Sequence, residues 1–196
     1  MRVFLGVTGA SGAPYAARLL QALAAGDHEI GLVASAAGVE VIATELYGDA
    51  GLPRDEVLDR FVGDAAGQVT VYGINYYKSP YASGSARVDA YVVCPCSMST
   101  VGTLAAGAMA NLIHRAASVA LKELRKLVLV PRETPLSLIH LRGLATLHEA
   151  GAVILFAAPG FYHGAKTIDD LVDFVVARAL DQIGIDQTLT PRWGQP

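Results

Sequence analysis

Short apolar runs alternate with segments of helical spacing along most of the chain. The apolar runs are 3–7, 30–34, 90–94, 127–130 and 152–156, with a further short one at 69–72. The segments of helical spacing are 16–24, 36–46, 100–124, 136–150 and 167–183. Continuous apolar runs are typical of strands buried on both faces, and their alternation with helices indicates a parallel sheet covered on both sides. The pattern therefore predicts an α/β fold with a Rossmann-like (flavodoxin-like), doubly wound, mostly parallel sheet.

The length of the chain and the lack of a linker predict a single domain over residues 1–196, with a C-terminal tail from about residue 185. Hydrophobic residues make up 53% of the chain, which indicates extra buried surface in the sheet or at subunit contacts. No apolar run approaches the ~20 residues that cross a membrane. The first strand is predicted from Arg2, which leaves no room for a signal peptide, so we expect a cytoplasmic protein.

Charge and cysteine content argue against several kinds of site. The net charge of -3 argues against a general nucleic-acid binder. Cys94 and Cys96 are separated only by Pro95, a spacing that suits neither a disulfide nor a zinc knuckle, so we expect two reduced, buried cysteines. The five histidines show no metal-ligand spacing, and the sequence predicts no metal site.

A glycine-rich turn follows the first predicted strand and opens a helix. In such a sheet, ligands bind at the carboxyl ends of the strands, where glycines let a phosphate approach and a helix N-terminus offers free N–H groups. The segment Gly6-Val7-Thr8-Gly9-Ala10-Ser11-Gly12 has the spacing G-x-x-G-x-x-G, not the G-x-G-x-x-G of dinucleotide enzymes. Ser11 could cap the helix or donate to a ligand, and a plain tight turn is the alternative interpretation.

The residue that ends the second strand separates two classes of nucleotide. NAD enzymes usually place an Asp or Glu there to bind the ribose, whereas this chain has Ser35 between two alanines. A small hydroxyl suits a mononucleotide such as FMN better than NAD. The alternative is that Ser35 only caps the following helix.

Hydroxyl and cationic side chains follow the fourth strand. Ser97-Met98-Ser99-Thr100 places three hydroxyls at a helix start, where they suit a flavin edge or a phosphate, although Ser and Thr are also common N-caps. Arg115, Ser118 and Lys122 are spaced i, i+3 and i+7 and share one helix face. That face is either an anion site or a solvated surface.

Polar segments also follow the last two strands. Pro131-Arg132-Glu133-Thr134-Pro135 holds an Arg–Glu pair between prolines, Pro159-Gly160-Phe161-Tyr162-His163 follows the last strand, and the final helical segment carries Arg178. Glu133 is a candidate acid–base group, with a structural salt bridge as the alternative. Tyr162 is either a donor to a ligand or a buried core tyrosine.

Together these segments resemble the UbiX family of flavin prenyltransferases. The combination of R-E-T-P, G-F-Y-H and an N-L-I-x-R-A-A segment is specific, and the likeness runs nearly the full length of the chain. The matching blocks are Thr8–Gly12, Ala82–Ser85, Pro95–Thr100, Asn111–Lys122, Val128–Pro135, His140–Leu141, Gly151–Ile154, Pro159–His163, Asp169–Arg178 and Pro191–Gly194. The chain departs from the usual family pattern at Tyr77, Ser99, Ser118, Leu124 and Ala165.

The resemblance implies a reaction that joins a dimethylallyl group to N5 and C6 of reduced FMN and makes prenylated FMN for a UbiD-type decarboxylase. It implies dimethylallyl monophosphate as the donor and a dodecamer with active sites between subunits. The FMN-binding residues it implies are Gly9, Ala10, Ser11, Ser35, Ser97, Met98, Ser99, Thr100 and Arg132. The phosphate-binding residues it implies are Arg115, Lys122, Tyr162 and Arg178, and the catalytic residues are Glu45, Glu133 and Tyr162.

Asp169, Asp170 and Asp173 spell D-D-x-x-D, the pattern by which many prenyltransferases hold magnesium and pyrophosphate. We expect this match to be a coincidence. Thr167 is a good N-cap, and acidic residues in the first turn of a helix are favoured by its dipole. Asp169 and Arg178 lie nine positions and therefore ~180° apart on that helix, so they face different directions.

The sequence leaves two other functions open. Flavin-dependent cysteine decarboxylases share this fold superfamily, but they use a catalytic His and a P-x-M-N-x-x-M-W segment. This chain has only Met109-Ala110-Asn111, and its one tryptophan is Trp193. The second is a non-catalytic FMN-binding protein, which would not need Glu133, Tyr162 and Arg178 together.

Overall fold

A computed structural model describes residues 1–192 and 194 of the chain, and Trp193 lies outside the described residues. Within that part of the chain, six strands form one sheet. They are β1 (Arg2–Val7), β2 (Glu29–Ala34), β3 (Val69–Val71), β4 (Ala90–Cys96), β5 (Lys126–Pro131) and β6 (Val153–Ile154). Seven α-helices accompany these strands in the same described residues. They are α1 (Ala13–Ala25), α2 (Ala36–Tyr47), α3 (Arg54–Val62), α4 (Met98–Ala105), α5 (Leu112–Lys122), α6 (Leu138–Glu149) and α7 (Ile168–Ile183).

The sheet is parallel and doubly wound, as the apolar pattern predicted. Its strand order is β3-β2-β1-β4-β5-β6, and each neighbouring pair is parallel. The chain therefore proceeds outward from β1 in one direction and from β4 in the other. Because ligands bind where the strand order reverses, the carboxyl ends of β1 and β4 are the expected binding point.

The two faces of the sheet bury separate apolar clusters. Helices α1, α2, α3 and α7 cover one face, which receives side chains such as Leu5 and Leu32, both 0% exposed. Helices α4, α5 and α6 cover the other face, which receives the neighbouring side chains Phe4 and Val33. Successive residues of one strand thus enter opposite clusters, which explains why the strands read as continuous apolar runs.

Three details of the secondary structure differ from the prediction. The segment 100–124 is two helices rather than one, because Gly107 adopts a φ of 71° and Asn111 caps α5 by accepting from the His114 amide. Helix α3, which is largely charged and has only a narrow apolar stripe, had no counterpart in the prediction. Strands β4 and β5 include the prolines at which they were predicted to stop, and the register between them shifts at Pro95.

The loop that connects β3 to β4 is anchored by aromatic side chains. Tyr81 is 1% exposed and its ring contacts those of Phe4 and Tyr72. Gly31 of β2 lies under this ring, and a Cβ there would collide with it. In contrast, Tyr76 and Tyr77 of the same loop are exposed. The loop therefore has a fixed base and an aromatic surface open to a ligand or a partner.

Candidate active site

Thr8 joins the two loops at the point where the strand order reverses. Its side chain is buried, its hydroxyl donates to the Pro95 carbonyl at 2.9 Å, and its Oγ1 accepts from the Ser97 amide at 2.7 Å. The Thr8 amide also donates to the Pro95 carbonyl, at 3.1 Å. The turn after β1 and the Ser97 turn after β4 are therefore held as one unit. This role of Thr8 does not follow from the local sequence, because its partners lie far away along the chain.

Glycines allow close packing between the first turn and α2. A Cβ at Gly9 would lie 2.5 Å from the Ala37 Cβ, and one at Gly38 would lie 2.5 Å from the Val7 carbonyl oxygen. Gly9 is itself exposed, whereas Ala10 beside it is buried. One side of the turn is thus packed tightly against α2, and the other side is exposed, as is typical of a backbone that a ligand approaches.

Glu45 caps the N-terminus of α1. Its Oε2 accepts from the Gly12 amide at 2.9 Å and from the Ala13 amide at 2.8 Å. The N-cap residue Gly12 has no side chain, and Ser11 makes no capping bond, so the carboxylate of Glu45 stabilises this helix end. The free N–H groups that the sequence suggested for a phosphate at α1 are therefore partly occupied by Glu45.

Ser35 and Ser97 both occupy N-cap positions, as their alternative interpretation suggested. Ser35 Oγ accepts from the Gly38 amide at 3.0 Å, and Ser97 Oγ accepts from the Thr100 amide and also contacts the Thr100 hydroxyl. Both serines are only half-buried. Capping does not remove their hydroxyl donors, and the first amides of α2 and α4 have no intrahelical partner. Two helix N-termini therefore point their donors toward the same sheet edge.

The remaining residues of the Ser97 turn differ in access. Ser99 is exposed, whereas Met98 is 8% exposed and Thr100 is 5% exposed. Met98 packs in the cluster covered by α4, α5 and α6. Of this group, Ser97 and Ser99 are thus the side chains placed to meet a ligand, while Met98 and Thr100 support the turn.

Arg132 connects the end of β5 to the first turn. Its Nε donates to the Ser11 carbonyl at 3.4 Å, and the guanidinium is exposed. Glu133, the next residue, accepts from the Thr134 amide at 3.0 Å. Within residues 1–192 and 194, Glu133 forms no ion pair, which removes the support for the salt-bridge interpretation. A partly exposed carboxylate therefore directly follows the residue that contacts the Ser11 turn.

These residues fit a flavin mononucleotide. The donors at the sheet edge are hydroxyls, helix-start amides and the Arg132 guanidinium, a set that suits a phosphate and the polar edge of a flavin. The end of β2 carries Ser35 and no carboxylate, which does not suit the adenine-side ribose of NAD. Because Glu45 occupies amides at the N-terminus of α1, the N-termini of α2 and α4 are the ones that would bind the phosphate.

Arg115 and Lys122, two of the predicted phosphate-binding residues, lie on α5 beside the loop residues 82–84. Arg115 Nε donates to the Ala82 carbonyl at 2.9 Å, and Lys122 pairs with the carboxylate of Glu123. Arg125, just after α5, donates to the Gly84 carbonyl at 2.6 Å. This cationic face is therefore not simply a solvated surface, because its side chains bind carbonyl groups of the loop between β3 and β4.

Tyr162 and Arg178 lie together around a second feature, a cavity of about 590 Å³. Its other lining residues come from the loop before α7, from α7 and from the C-terminal segment, and they are His163, Phe174, Asp181, Gln187, Thr190, Pro191, Arg192 and Gly194. Tyr162 is 71% exposed, so it is not the buried core tyrosine of the alternative interpretation. Its ring packs edge-on against Phe174.

The structure of one chain does not bring all predicted phosphate-binding residues together. Within the described residues, no hydrogen bond or ion pair links Arg115 or Lys122 to Tyr162 or Arg178. The predicted residues thus form three sets, which are the sheet edge, the cationic face of α5 and the cavity beside α7.

The cysteines and the acidic motif take structural roles. Burial raises the pKa of the Cys94 thiol to about 12 and raises that of Cys96 further, so both remain protonated and unreactive. Asp170 forms a capping box with Thr167, and Asp173 pairs with Arg18 through two bonds of 2.5 and 3.2 Å. Two of the three acids in D-D-x-x-D are therefore accounted for by a helix cap and by an ion pair with α1.

Comparison with known proteins places this chain among flavoproteins. The model of the Flavoprotein family matches residues 1–180. The flavin prenyltransferase UbiX of Pseudomonas aeruginosa is 51% identical over 199 aligned residues, which cover 99% of this chain and 94% of that protein. Across the described residues, no helix has the length and apolar character needed to span a membrane.

Two solved structures share the whole fold. The crystal structure of AnUbiX in complex with FMN and dimethylallyl pyrophosphate has a TM-score of 0.87 and 39% identity, and the match covers 99% of this chain and 97% of that one. The dodecameric FMN-dependent UbiX-like decarboxylase from Escherichia coli O157:H7 also has a TM-score of 0.87 and 39% identity, with 100% of both chains covered. The sequence resemblance is confirmed, and the cysteine decarboxylase alternative is not favoured. The chain belongs to the UbiX family of flavin prenyltransferases.

Proposed function

We propose that this chain transfers the dimethylallyl group of dimethylallyl monophosphate to reduced FMN and that the prenylated FMN is passed to a UbiD-type decarboxylase. Reduced FMN supplies the N5 and C6 atoms to which the group is joined. The observation that carries the proposal is the bond from Arg132 to the Ser11 carbonyl, because it connects the segment that bears the Glu133 carboxylate to the edge that fits FMN, and this carboxylate forms no ion pair within residues 1–192 and 194. We also infer that the chain functions in the cytoplasm, where free thiols such as Cys94 and Cys96 stay reduced.

The cations of the chain would stabilise the departing phosphate. When the allylic C–O bond breaks, its electron pair stays on the phosphate oxygen, and the phosphate leaves as a hydrogen phosphate dianion after taking up one proton, which balances the proton that the flavin loses. Guanidinium groups bind such oxygens through several charge-assisted hydrogen bonds. Arg178 lines the cavity with Tyr162, whose hydroxyl is a suitable donor to the phosphate. Preorganised donors of this kind contribute ~2.7–4 kcal/mol each when they act as oxyanion-hole donors do.

The remaining roles fall to a carboxylate and an aromatic ring. Glu133 would move a proton during bond formation, which typically contributes ~10²–10⁴-fold to a rate. Glu45 is a second carboxylate near the FMN edge, but its bonds to the α1 amides make positioning of the first turn its better-supported role. The exposed ring of Tyr77 could face the allylic cation.

A dodecamer would unite the three sets of residues. Since Arg115 and Lys122 lie on α5 and Tyr162 and Arg178 lie beside α7, we infer that a neighbouring subunit completes each phosphate site. Helix α6 exposes Leu138 (60%), Ile139 (79%) and Leu141 (49%), a cluster of apolar side chains suited to a subunit contact. The dodecameric relative from Escherichia coli supports this arrangement.

Mass spectrometry of the bound flavin tests the proposed function. Protein loaded with reduced FMN is incubated with dimethylallyl monophosphate, and the flavin is expected to gain the mass of one dimethylallyl group. Protein loaded with oxidised FMN is the control and should show no gain. Unchanged flavin in the reduced sample would contradict the transferase proposal and favour a binding protein without catalysis.

Transfer is expected to proceed without a divalent metal. Asp169 lines a groove with Arg18 and Asp173 on the opposite side of α7 from the cavity that contains Arg178. The expected result is full activity in excess EDTA and in Asp169→Asn, measured as the rate of product formation. Loss of turnover in EDTA that Mg²⁺ restores would instead indicate a metal–pyrophosphate mechanism.

A further inference from the structure

The last turn of α7 places one carboxylate between two arginines. Asp181 Oδ2 accepts from Arg178 Nη1 at 2.8 Å, and Arg192 Nη2 of the C-terminal segment lies 3.6 Å from Asp181 Oδ1. The Asp181 side chain is only 15% exposed, whereas those of Arg178 and Arg192 are 52% and 47% exposed. The carboxylate is thus the buried centre of this network, and the guanidinium groups extend from it toward solvent and the cavity.

Unsatisfied polar atoms concentrate around this one cavity. In the part of the chain that the structure describes, four buried side-chain atoms have no hydrogen-bond partner, and three of them belong to Asp181 and His163. Both residues line the cavity that contains Arg178. A buried polar group without a partner costs free energy, and the ring nitrogens of His163 are groups that a polar occupant of the cavity would satisfy. The Asp181 oxygen only accepts hydrogen bonds, so the group that faces it is the Arg192 guanidinium at 3.6 Å and not a phosphate.

We propose that Asp181 is a positioning residue of the allylic-phosphate site. Its bond to Nη1 holds the Arg178 guanidinium in one orientation and leaves Nε and Nη2 available for a two-point contact with phosphate. Arg192, which lies 3.6 Å from the other carboxylate oxygen, lines the same cavity. The inference rests on the proposed function, because it takes the phosphate of the allylic substrate as the occupant.

The direction in which phosphate affinity changes when Asp181 is neutralised distinguishes this positioning role from simple charge repulsion. If Asp181 acted only as a negative charge near an anion site, neutralising it would strengthen phosphate binding. If it positions Arg178, the same change weakens binding, since the long arginine side chain regains its freedom. Asp186 provides a matched control, because it also lies 3.6 Å from Arg192 but is fully exposed and does not contact Arg178.

Calorimetric titration of dimethylallyl monophosphate into protein loaded with oxidised FMN measures binding without turnover. Asp181→Asn is expected to weaken binding at least about tenfold, the lower end of the range for loss of a hydrogen bond to a charged group. Asp186→Asn should stay within about twofold of wild type. In an Arg178→Gln background, Asp181→Asn should add no further loss, and Asp181→Glu should retain more affinity than Asp181→Asn.

Tighter binding by Asp181→Asn, or an equal loss in Asp186→Asn, would overturn the positioning role. Melting temperatures identify any variant that is unfolded. If Asp181→Asn alone is unfolded, the test is the comparison of Arg178→Gln with the Arg178→Gln, Asp181→Asn double variant, which are expected to bind with equal affinity. The same titrations with inorganic phosphate separate the two hypotheses. If the variants show the expected order with phosphate but wild type makes no prenylated flavin, the proposed function fails while the role of Asp181 stands.

Discussion

Glu133→Gln is expected to bind FMN normally and to transfer the prenyl group at least about 100-fold more slowly than wild type. The amide keeps the shape of the side chain and its bond from the Thr134 amide, but it cannot accept or release a proton at pH 7. Because Glu133 makes no ion pair within residues 1–192 and 194, the change removes no charge partner that the fold depends on. The measurements are FMN affinity by fluorescence and the single-turnover rate of product formation.

Glu149→Gln, an exposed change on α6, is the matched control and should transfer at the wild-type rate. If Glu133→Gln also turned over at nearly the wild-type rate, Glu133 would be structural and another group would move the proton. Glu45 would then be the next carboxylate to test. A loss of FMN affinity in Glu133→Gln would instead place the carboxylate in flavin binding.

Local sequence patterns predicted the strands of the sheet because burial on both faces makes nearly every residue of a strand apolar. Leu5 and Phe4 enter opposite apolar clusters, so β1 reads as a continuous apolar run, and the same holds for β2. Helix α3 was not predicted because few of its residues are buried. Only Val57, Leu58 and Phe61 of that helix are buried, and its charged residues hide this stripe in a short segment.

The candidate site could be predicted only where function depends on one short segment. Ser35 follows β2 directly, so its position at the sheet edge follows from the sequence alone. The bonds of Glu45 to α1 and of Asp173 to Arg18 join distant segments, and they could not be predicted from local patterns. Asp173 shows the consequence, because a motif that resembles a metal site is explained by an ion pair between two helices.

The sequence also does not show that the cations of α5 and the cation of α7 lie apart within one chain. Arg115 and Lys122 share a helix face by spacing alone, but whether that face meets Arg178 depends on how subunits pack. The structure instead shows Arg115 holding the Ala82 carbonyl. A sequence can therefore identify each cation as a candidate ligand without showing which of them act together.

Thr8→Val is expected to destabilise the protein by ~2 kcal/mol and to weaken FMN binding about tenfold. Valine has nearly the shape of threonine but lacks the hydroxyl, so the Ser97 amide loses its acceptor in a buried place, which costs ~1–3 kcal/mol. The Pro95 carbonyl keeps its bond from the Thr8 amide. The turn after β1 and the Ser97 turn would then no longer be fixed relative to each other, and the FMN edge would lose its preorganisation.

Denaturant unfolding of the protein without flavin measures the stability change, and fluorescence titration measures FMN affinity. Thr8→Ser keeps the hydroxyl and should bind FMN nearly as wild type does, although loss of the methyl group lowers its stability by ~1 kcal/mol. The comparison of valine with serine therefore isolates the hydroxyl bridge. If both variants bound FMN equally well, the two turns would be held in place by packing of β1 against β4 alone, and Thr8 would have no part in forming the site.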